Sequence, residues 1–305
     1  SATMFFQDCK LAHQAQITGI RHSIKEILPP DLLDLTQLQK EANIRYGFTA
    51  SEVYDIAQSL YEKKLISYPR TSSRYLTEDV FDSLPPIMAR LLSWELFPAA
   101  KGTASIDISS LFRHVINAEK ANVHHAIIIT GIRPGNLPEK EMLVYRLVAG
   151  RMLEAFMPPC RIETTDIEAI CAAQHFKAEQ TRIIEAGWHD VFMNSDIIPK
   201  SRYSVNELPE VEKGDTLNVC GRNLVHKKQL PVNPFTDAEL VEYMELNGLG
   251  TVSSRTNIIR TLVNRKYIRY SGKYIVPTPK GMFTYETIRG KKIADTSLTA
   301  DWEKQ

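Results

Sequence analysis

The stretch Leu65-Ile66-Ser67-Tyr68-Pro69-Arg70-Thr71 sets the strongest local constraint on how this chain can fold. It opens apolar, as the end of a helix or a buried strand does. Pro69 then removes a backbone N–H and pushes Tyr68 out of helical geometry. A helix arriving from the N-terminal side has to stop here, and the chain beyond has to run extended. Residues two apart on an extended segment point to the same side, so Tyr68 and Arg70 share a face. A phenol beside a guanidinium suits attack on a phosphodiester, with the phenolate as nucleophile and the guanidinium binding the non-bridging oxygens. The same spacing suits an ordinary half-buried tyrosine next to a surface arginine, and spacing alone leaves both readings open.

The residues before this stretch read as strand, then helices. Ala15-Gln16-Ile17-Thr18-Gly19-Ile20, with Ile24 and Ile27, alternates as one or two strands over 5–30 before Pro29-Pro30. Thr36 is expected to cap a helix carrying Leu38 and Ala42 that stops at Gly47. Thr49 and Glu52 form a capping box for a second helix, whose face is Val53, Ile56, Ala57 and Leu60 and whose last turn carries Lys63 and Lys64. That helix leads straight into Tyr68.

Beyond the motif, Thr77 is expected to cap one helix and Pro85 to start another through about Leu92, with a loop over 97–110. His124-His125-Ala126-Ile127-Ile128-Ile129-Thr130 admits two readings: histidines at the edge of a buried strand, or a histidine that contacts phosphate or relays a proton. Residues 139–156 read as a strong helix ended by Pro158-Pro159. From about 161 to 192 the pattern turns to β, residues 193–208 read as a polar loop, and Glu212-Lys213-Gly214-Asp215 reads as a hairpin turn into Leu217 and Val219. A capping box at Thr236 and Glu239 then opens a helix. The tight turn Gly248-Leu249-Gly250-Thr251 precedes another, capped by Ser253 or Ser254 with Ile258, Ile259, Leu262 and Val263 inward, and a hairpin follows over 267–276. Helix, turn, helix and basic hairpin form a winged-helix-like pattern, with Arg255 in the first turn of a helix whose N-terminus suits phosphate.

Charge is the one compositional feature the function reading needs. The chain carries a net charge of +1, yet residues 251–292 hold ten cations and one acid, Glu286. A near-neutral chain with one strongly basic segment reads as one with a nucleic-acid face. Cys9, Cys160, Cys171 and Cys220 are widely spaced, which argues against a zinc ribbon or a disulfide framework and fits a reducing cytoplasm. No apolar run is long enough for a membrane span.

Ser67-Tyr68-Pro69-Arg70-Thr71 with Ser73-Arg74-Tyr75-Leu76 resembles the active-site signature of type IA DNA topoisomerases, in particular the topoisomerase III branch. Asp34–Ala42, Gly47–Ala50 and Ala57–Glu62 resemble the family's approach to its tyrosine. His124-His125-Ala126-Ile127-Ile128 matches the branch's histidine motif, and Gly248–Thr251 with Ser254-Arg255 matches the family's domain next to the DNA gate. Two positions depart from the pattern: Ser72 stands where the family usually has aspartate, and Ile129 where it usually has proline.

The resemblance implies Tyr68 as the nucleophile that forms a 5′-phosphotyrosine, Arg70 as its phosphate-binding partner and His124 as the histidine near the tyrosine. Arg74, His125, Thr251, Ser254 and Arg255 are the expected DNA-binding residues. The implied fold is α+β and multidomain. A mostly helical gate domain, 31–156, is inserted in a β-rich hinge domain built from 5–30 and 157–228, and a winged-helix-like DNA-binding domain covers 229–305. The family's Mg²⁺ is held by a glutamate and an Asp-x-Asp pair of an N-terminal Toprim domain. Nothing here fits that domain, because Asp31 and Asp34, Asp79 and Asp82, and Asp166 with Glu168 have other structural explanations. No metal ligand is assigned, and the chain reads as a fragment that binds DNA without efficient cleavage. The expected partner is single-stranded DNA, with duplex DNA and a helicase as further partners, in the cytoplasm at a nucleoid or plasmid. The alternative is a winged-helix DNA-binding module with an inert tyrosine. Adjacent His124-His125 disfavour a metal-dependent relaxase, and no arginine-rich His-x-x-Arg constellation supports a tyrosine recombinase.

Overall fold

Alternating apolar and polar residues build a four-stranded antiparallel sheet from three distant parts of the chain. The computed structural model describes residues 6, 9, 12–94, 96–97, 114–121, 124–193, 208–225 and 233–303. Strands β1 (Gln14–Ile27), β2 (Cys160–Cys171), β3 (Gln174–Glu185) and β4 (Thr216–Asn218) lie in the order β3-β2-β1-β4. β1 pairs with β2 from Gln16↔Ile170 to Ile27↔Cys160, with a register shift between Ile17 and Gly19. β2 and β3 are joined through Ala172 and Ala173, both at positive φ (48° and 62°). That geometry matches the twist of the flanking strands. The turn expected at Glu212–Asp215 forms, closed by Asp215 N–H to Glu212 O at 3.1 Å. Its strand β4 pairs with the start of β1, and no hairpin partner precedes it among the described residues. Gly187, at φ 53°, approaches the carbonyls of Pro158 and Pro159 so closely that a Cβ could not fit there. This sheet and its turns form one compact unit from Ser1–Leu28, Pro158–His189 and Ile198–Pro231.

The second unit, from Pro29–Met157, Asp190–Ile197 and Val232–Gln305, carries the helices. Helix α1 (Leu35–Tyr46) is capped by Asp34, whose carboxylate accepts from Gln37 N–H at 2.7 Å. Thr36, the expected cap, lies inside the first turn, buried, because the chain enters the helix two residues earlier. Gly47 ends it at φ 70°. Helix α2 (Ala50–Glu62) has the expected Thr49–Glu52 capping box and buries Val53, Ala57 and Leu60 completely, while Ile56 is half-buried. Lys63 is its C-cap and Lys64 sits beyond it at φ 59°, so neither lies in the last turn.

Two short helices follow, α3 (Glu78–Asp82) and α4 (Leu84–Ser93). Thr77 caps the first without a side-chain hydrogen bond, and the prolines of the second lie at its start. After α5 (Ala118–Ala121), helix α6 (Glu139–Phe156) spans the expected residues and buries almost every residue from Val144 to Phe156. Its Arg151 is buried against Glu154 (2.9 Å) and Glu41 (3.0 Å). α7 (Asp190–Met193) is a single turn. Apart from their end residues, the loops expected at 97–110 and 193–208 lie outside the described residues.

The C-terminal part of this unit starts with α8 (Asp237–Leu246), opened by the Thr236–Glu239 capping box. The turn through Gly248 (φ 65°) and Gly250 (φ 68°) leads into α9 (Arg255–Asn264). Strands β5 (Ile268–Ser271) and β6 (Tyr274–Pro277) form a hairpin around Gly272. Helices α10 (Pro279–Ile288) and α11 (Thr296–Glu303) lie beyond the expected elements. On α9 the buried face is Arg255, Thr256 and Ile259. Ile258, expected inward, sits 100° around the helix from Ile259 and is exposed. Ala50, Val241, Met244, Ile259 and Ile275 close one apolar cluster. Among the described residues no helix is long and apolar enough to cross a membrane.

Candidate active site

Helix α2 ends in a Schellman-type turn, with Lys64 N–H bonded to Tyr61 O (2.8 Å) and Leu65 N–H to Leu60 O (2.9 Å). The chain then doubles back. Leu65–Ser67 pairs with the histidine segment through the Ile66↔Ile129 bridge, Ser67 N–H to Ile128 O (2.8 Å) and Thr130 N–H to Leu65 O (3.1 Å). Ser67 Oγ donates to Ala126 O (3.1 Å) and accepts from Ile128 N–H (3.0 Å). Four residues on, Thr71 Oγ1 donates to His124 O (2.8 Å) and Thr71 O accepts from Leu35 N–H (3.1 Å). Tyr68 is thus fixed between two anchors that tie the tyrosine segment to the histidine segment.

The Tyr68 ring lies between two others. His124 is 4.6 Å away between centroids, tilted by 46°, and Tyr61 is 5.3 Å away, edge-on at 77°. The Tyr68 hydroxyl makes no hydrogen bond among the described residues. His124 is exposed and keeps both ring nitrogens uncommitted there. His125 is committed: its Nδ1 lies 2.7 Å from Ala126 O.

Arg70 is held by neutral groups. Its Nη2 donates to Gln58 Oε1 at 3.2 Å, and its guanidinium stands 5.2 Å from the Tyr54 ring centre. Its Nε is buried with no acceptor, and no carboxylate pairs with it among the described residues. A buried donor without an acceptor is unfavourable unless a ligand satisfies it. Tyr54, Gln58 and Tyr61 occupy positions i, i+4 and i+7, one stripe of α2. Sequence reading missed all three, although that spacing on the polar side of an amphipathic helix was their signal.

The other expected DNA contacts lie elsewhere. Arg74 Nε is bonded to Asp34 Oδ2 at 2.6 Å, beside a cavity of about 400 Å³ lined also by Ser73, Lys120, Glu119 and Glu245. Burial raises the Asp34 carboxyl above its usual range, against the lowering effect of Gln37 N–H and Arg74. Arg255, in the first turn of α9, is buried. Its Nη1 lies 3.3 Å from Glu245 Oε1 and its Nε donates to Leu249 O at 3.3 Å. Thr251 is exposed and its N–H donates to Ser254 Oγ at 2.7 Å, so these two bond each other. Of the expected site residues, Tyr68, Arg70 and His124 come together around α2, whereas Arg74 and Arg255 lie in an ionic region. Within 265–292 the exposed Arg265, Lys266, Arg269, Lys273, Lys280, Lys291 and Lys292 have no acid partner among the described residues.

A family model described as DNA topoisomerase matches residues 1–305. The chain belongs to the DNA topoisomerase family. It is 33% identical to DNA topoisomerase 3 of Bacillus licheniformis, over 95% of this chain and 43% of that protein. It is 31% identical to DNA topoisomerase 3 of Bacillus subtilis, over 96% of this chain and again 43% of the relative. The chain therefore spans less than half the length of these curated relatives. Its fold is like that of full-length topoisomerase I from Thermotoga maritima, with a TM-score of 0.77 at 22% identity, covering all of this chain and 50% of that one. These matches agree with the type IA, topoisomerase III-like resemblance of the motifs.

The Mg²⁺ which that resemblance implies finds no fit among the described residues. Among the described residues no three His, Cys, Asp or Glu side chains cluster so as to hold an ion. Asp34, which meets the motif at Arg74, is already bound to the α1 N-terminus and to that arginine.

Proposed function

We propose that this chain is the strand-cleaving gate portion of a type IA topoisomerase III-like enzyme, an isomerase that changes DNA supercoiling or catenation. Tyr68 Oη attacks the phosphorus of a single strand. The P–O bond to the 3′ oxygen breaks as the 5′-phosphotyrosine forms, and attack by the 3′ hydroxyl reverses the step after strand passage. Arg70 binds the non-bridging oxygens, and His124, with an uncommitted imidazole against the Tyr68 ring, contacts phosphate or helps move the phenol proton. The observation that carries this reading is one arrangement: a phenol with an unbonded hydroxyl beside a histidine, and an arginine whose buried Nε has no acceptor. Mg²⁺ belongs to the whole protein and is carried outside these residues, so the chain alone binds DNA and cleaves it poorly.

In this reading residues 5–30 and 157–228 are the hinge, 31–156 the gate and 229–305 a winged-helix-like DNA-binding domain, with Thr251 and Ser254 near the strand. The enzyme works in the cytoplasm on nucleoid or plasmid DNA, and a helicase that exposes single strands is a fitting partner.

The test is to mix the chain with end-labelled single-stranded and duplex oligonucleotides, denature, and look for DNA joined to protein, with Tyr68→Phe as control. Preference for single strands, with at most a weak adduct that Tyr68→Phe abolishes, supports the gate. The unpaired cations of 265–292 favour a second reading, a DNA-binding module with an inert tyrosine. Duplex preference with no adduct under any condition would establish it instead.

A further inference from the structure

We infer that Gln58 is the positioning residue for Arg70, and that it works because it is neutral. This rests on the assignment of Arg70 to phosphate. Where the chain doubles back after α2, each two-residue advance along the extended segment, about 6.6 Å, retraces about one turn of the helix, about 5.4 Å. Tyr68 therefore meets Tyr61, and Arg70 meets Gln58 and Tyr54. One helical stripe touches both groups of the proposed reaction.

Gln58 is itself oriented. Its Nε2 donates to Glu62 Oε1 at 2.8 Å, one turn further along α2, which leaves Oε1 to accept from Arg70. The relay runs carboxylate, amide, guanidinium. A carboxylate in place of the amide would hold the arginine as firmly but neutralise it. The amide and the Tyr54 ring fix the guanidinium plane while its charge stays available to an incoming diester. Ser72, two residues beyond Arg70, is exposed and makes no hydrogen bond among the described residues, so it plays no part in holding that arginine.

The experiment is a titration of the intact chain with a labelled single-stranded oligonucleotide across a salt series, with melting temperatures recorded alongside. The variants are Arg70→Ala, Gln58→Leu and Gln58→Glu. Gln58→Leu is expected to weaken binding several-fold with the salt slope unchanged, since the charge is still present but no longer aimed. Gln58→Glu is expected to reduce the slope by about 0.7, as Arg70→Ala does, because each removes one phosphate contact. Melting temperatures should hardly move, because Gln58 is only half-buried. If both Gln58 variants bind like wild type while Arg70→Ala binds weakly, Arg70 needs no such support and the inference is wrong. Equal losses in both Gln58 variants with the wild-type slope would mean that Gln58 acts through the fold, which also overturns it. If Arg70→Ala itself binds like wild type, the phosphate role of Arg70 fails and the proposed function with it.

Discussion

Arg70 and Arg255 belong to the same folding unit and were both expected to meet DNA, yet the two regions treat a guanidinium in opposite ways. Around Arg70 the partners are an amide and an aromatic ring, and one N–H is buried without an acceptor. Around Arg255 and Arg74 the partners are Glu245 and Asp34, so each cation already has an anion. The difference teaches that an arginine's place in a motif does not tell whether its charge is available. An ion pair built into the fold commits the charge to the scaffold, whereas a neutral seat keeps the charge for a ligand.

The largest expected effect breaks the ionic region. Asp34 is 2% exposed, caps α1 and holds Arg74. Asp34→Ala removes a cap and an ion-pair partner together, and should cost about 3 kcal/mol. Urea unfolding should show the midpoint fall with an unchanged slope. A cost below about 1 kcal/mol would mean that Arg74 finds another anion and the region is not a scaffold.

Arg255→Ala comes next, at about 2 kcal/mol, since it leaves Glu245 partly buried without its cation. Its salt slope for single-stranded DNA should match the wild type. Arg70→Ala should do the reverse, costing under about 1 kcal/mol because its partners are neutral. If Arg255→Ala instead lowers the slope by about 0.7, the Glu245 pair opens when DNA binds and the contrast between the regions collapses.

A pH series decides whether the ionic region is favourable at all. Burial holds the Asp34 carboxyl above its usual value of 3.8, outweighing Gln37 N–H and Arg74. A carboxyl whose value is raised by folding adds stability that is fully present below the unfolded value and lost as pH rises through the folded one. Asp34→Asn cannot titrate. The stability of wild type relative to Asp34→Asn should therefore be greatest below pH 3.8, fall as pH rises above it, and then level off. Midpoints of urea unfolding at several pH values would check this. A difference that grows with pH would show that the attraction of Arg74 outweighs burial.

The legible parts of this molecule are those where local chemistry decides. The Thr49–Glu52 and Thr236–Glu239 boxes, the stop at Gly47 and the full extent of α6 follow from caps, glycine and periodicity within a few residues. The illegible parts depend on what lies far away in sequence. Asp34 caps α1 in place of Thr36 because it also meets Arg74, forty residues on. Arg255 is buried because Glu245 and Leu249 O close on it, a feature that a first-turn cation on a helix does not announce. The seat of Arg70 was hidden because it depends on a reversal at Lys64, a residue that gives no sequence warning of positive φ.

That reversal supplies the smallest and sharpest test. Helices α2 and α9 end alike, each with a lysine in the left-handed region, Lys64 at φ 59° and Lys266 at φ 60°. Each is followed by a residue whose N–H reaches back to close the turn, Leu65 to Leu60 O and Tyr267 to Leu262 O, both at 2.9 Å. Glycine adopts this conformation without the Cβ penalty but loses more freedom on folding, so Lys64→Gly and Lys266→Gly should each stabilise by only about 0.5 kcal/mol. Their DNA binding should differ. Lys266 lies in the basic segment and has no acid partner among the described residues, so its loss should reduce the salt slope by about 0.7. Lys64 lies at the end of the neutral-seated region, where Arg70 is the permanent cation expected to meet phosphate, and its loss should leave the slope unchanged. Equal stability with unequal slopes would show that the two turns are the same device serving different ends. A slope change at Lys64 alone would move the path of the strand to the end of α2 and away from the basic segment.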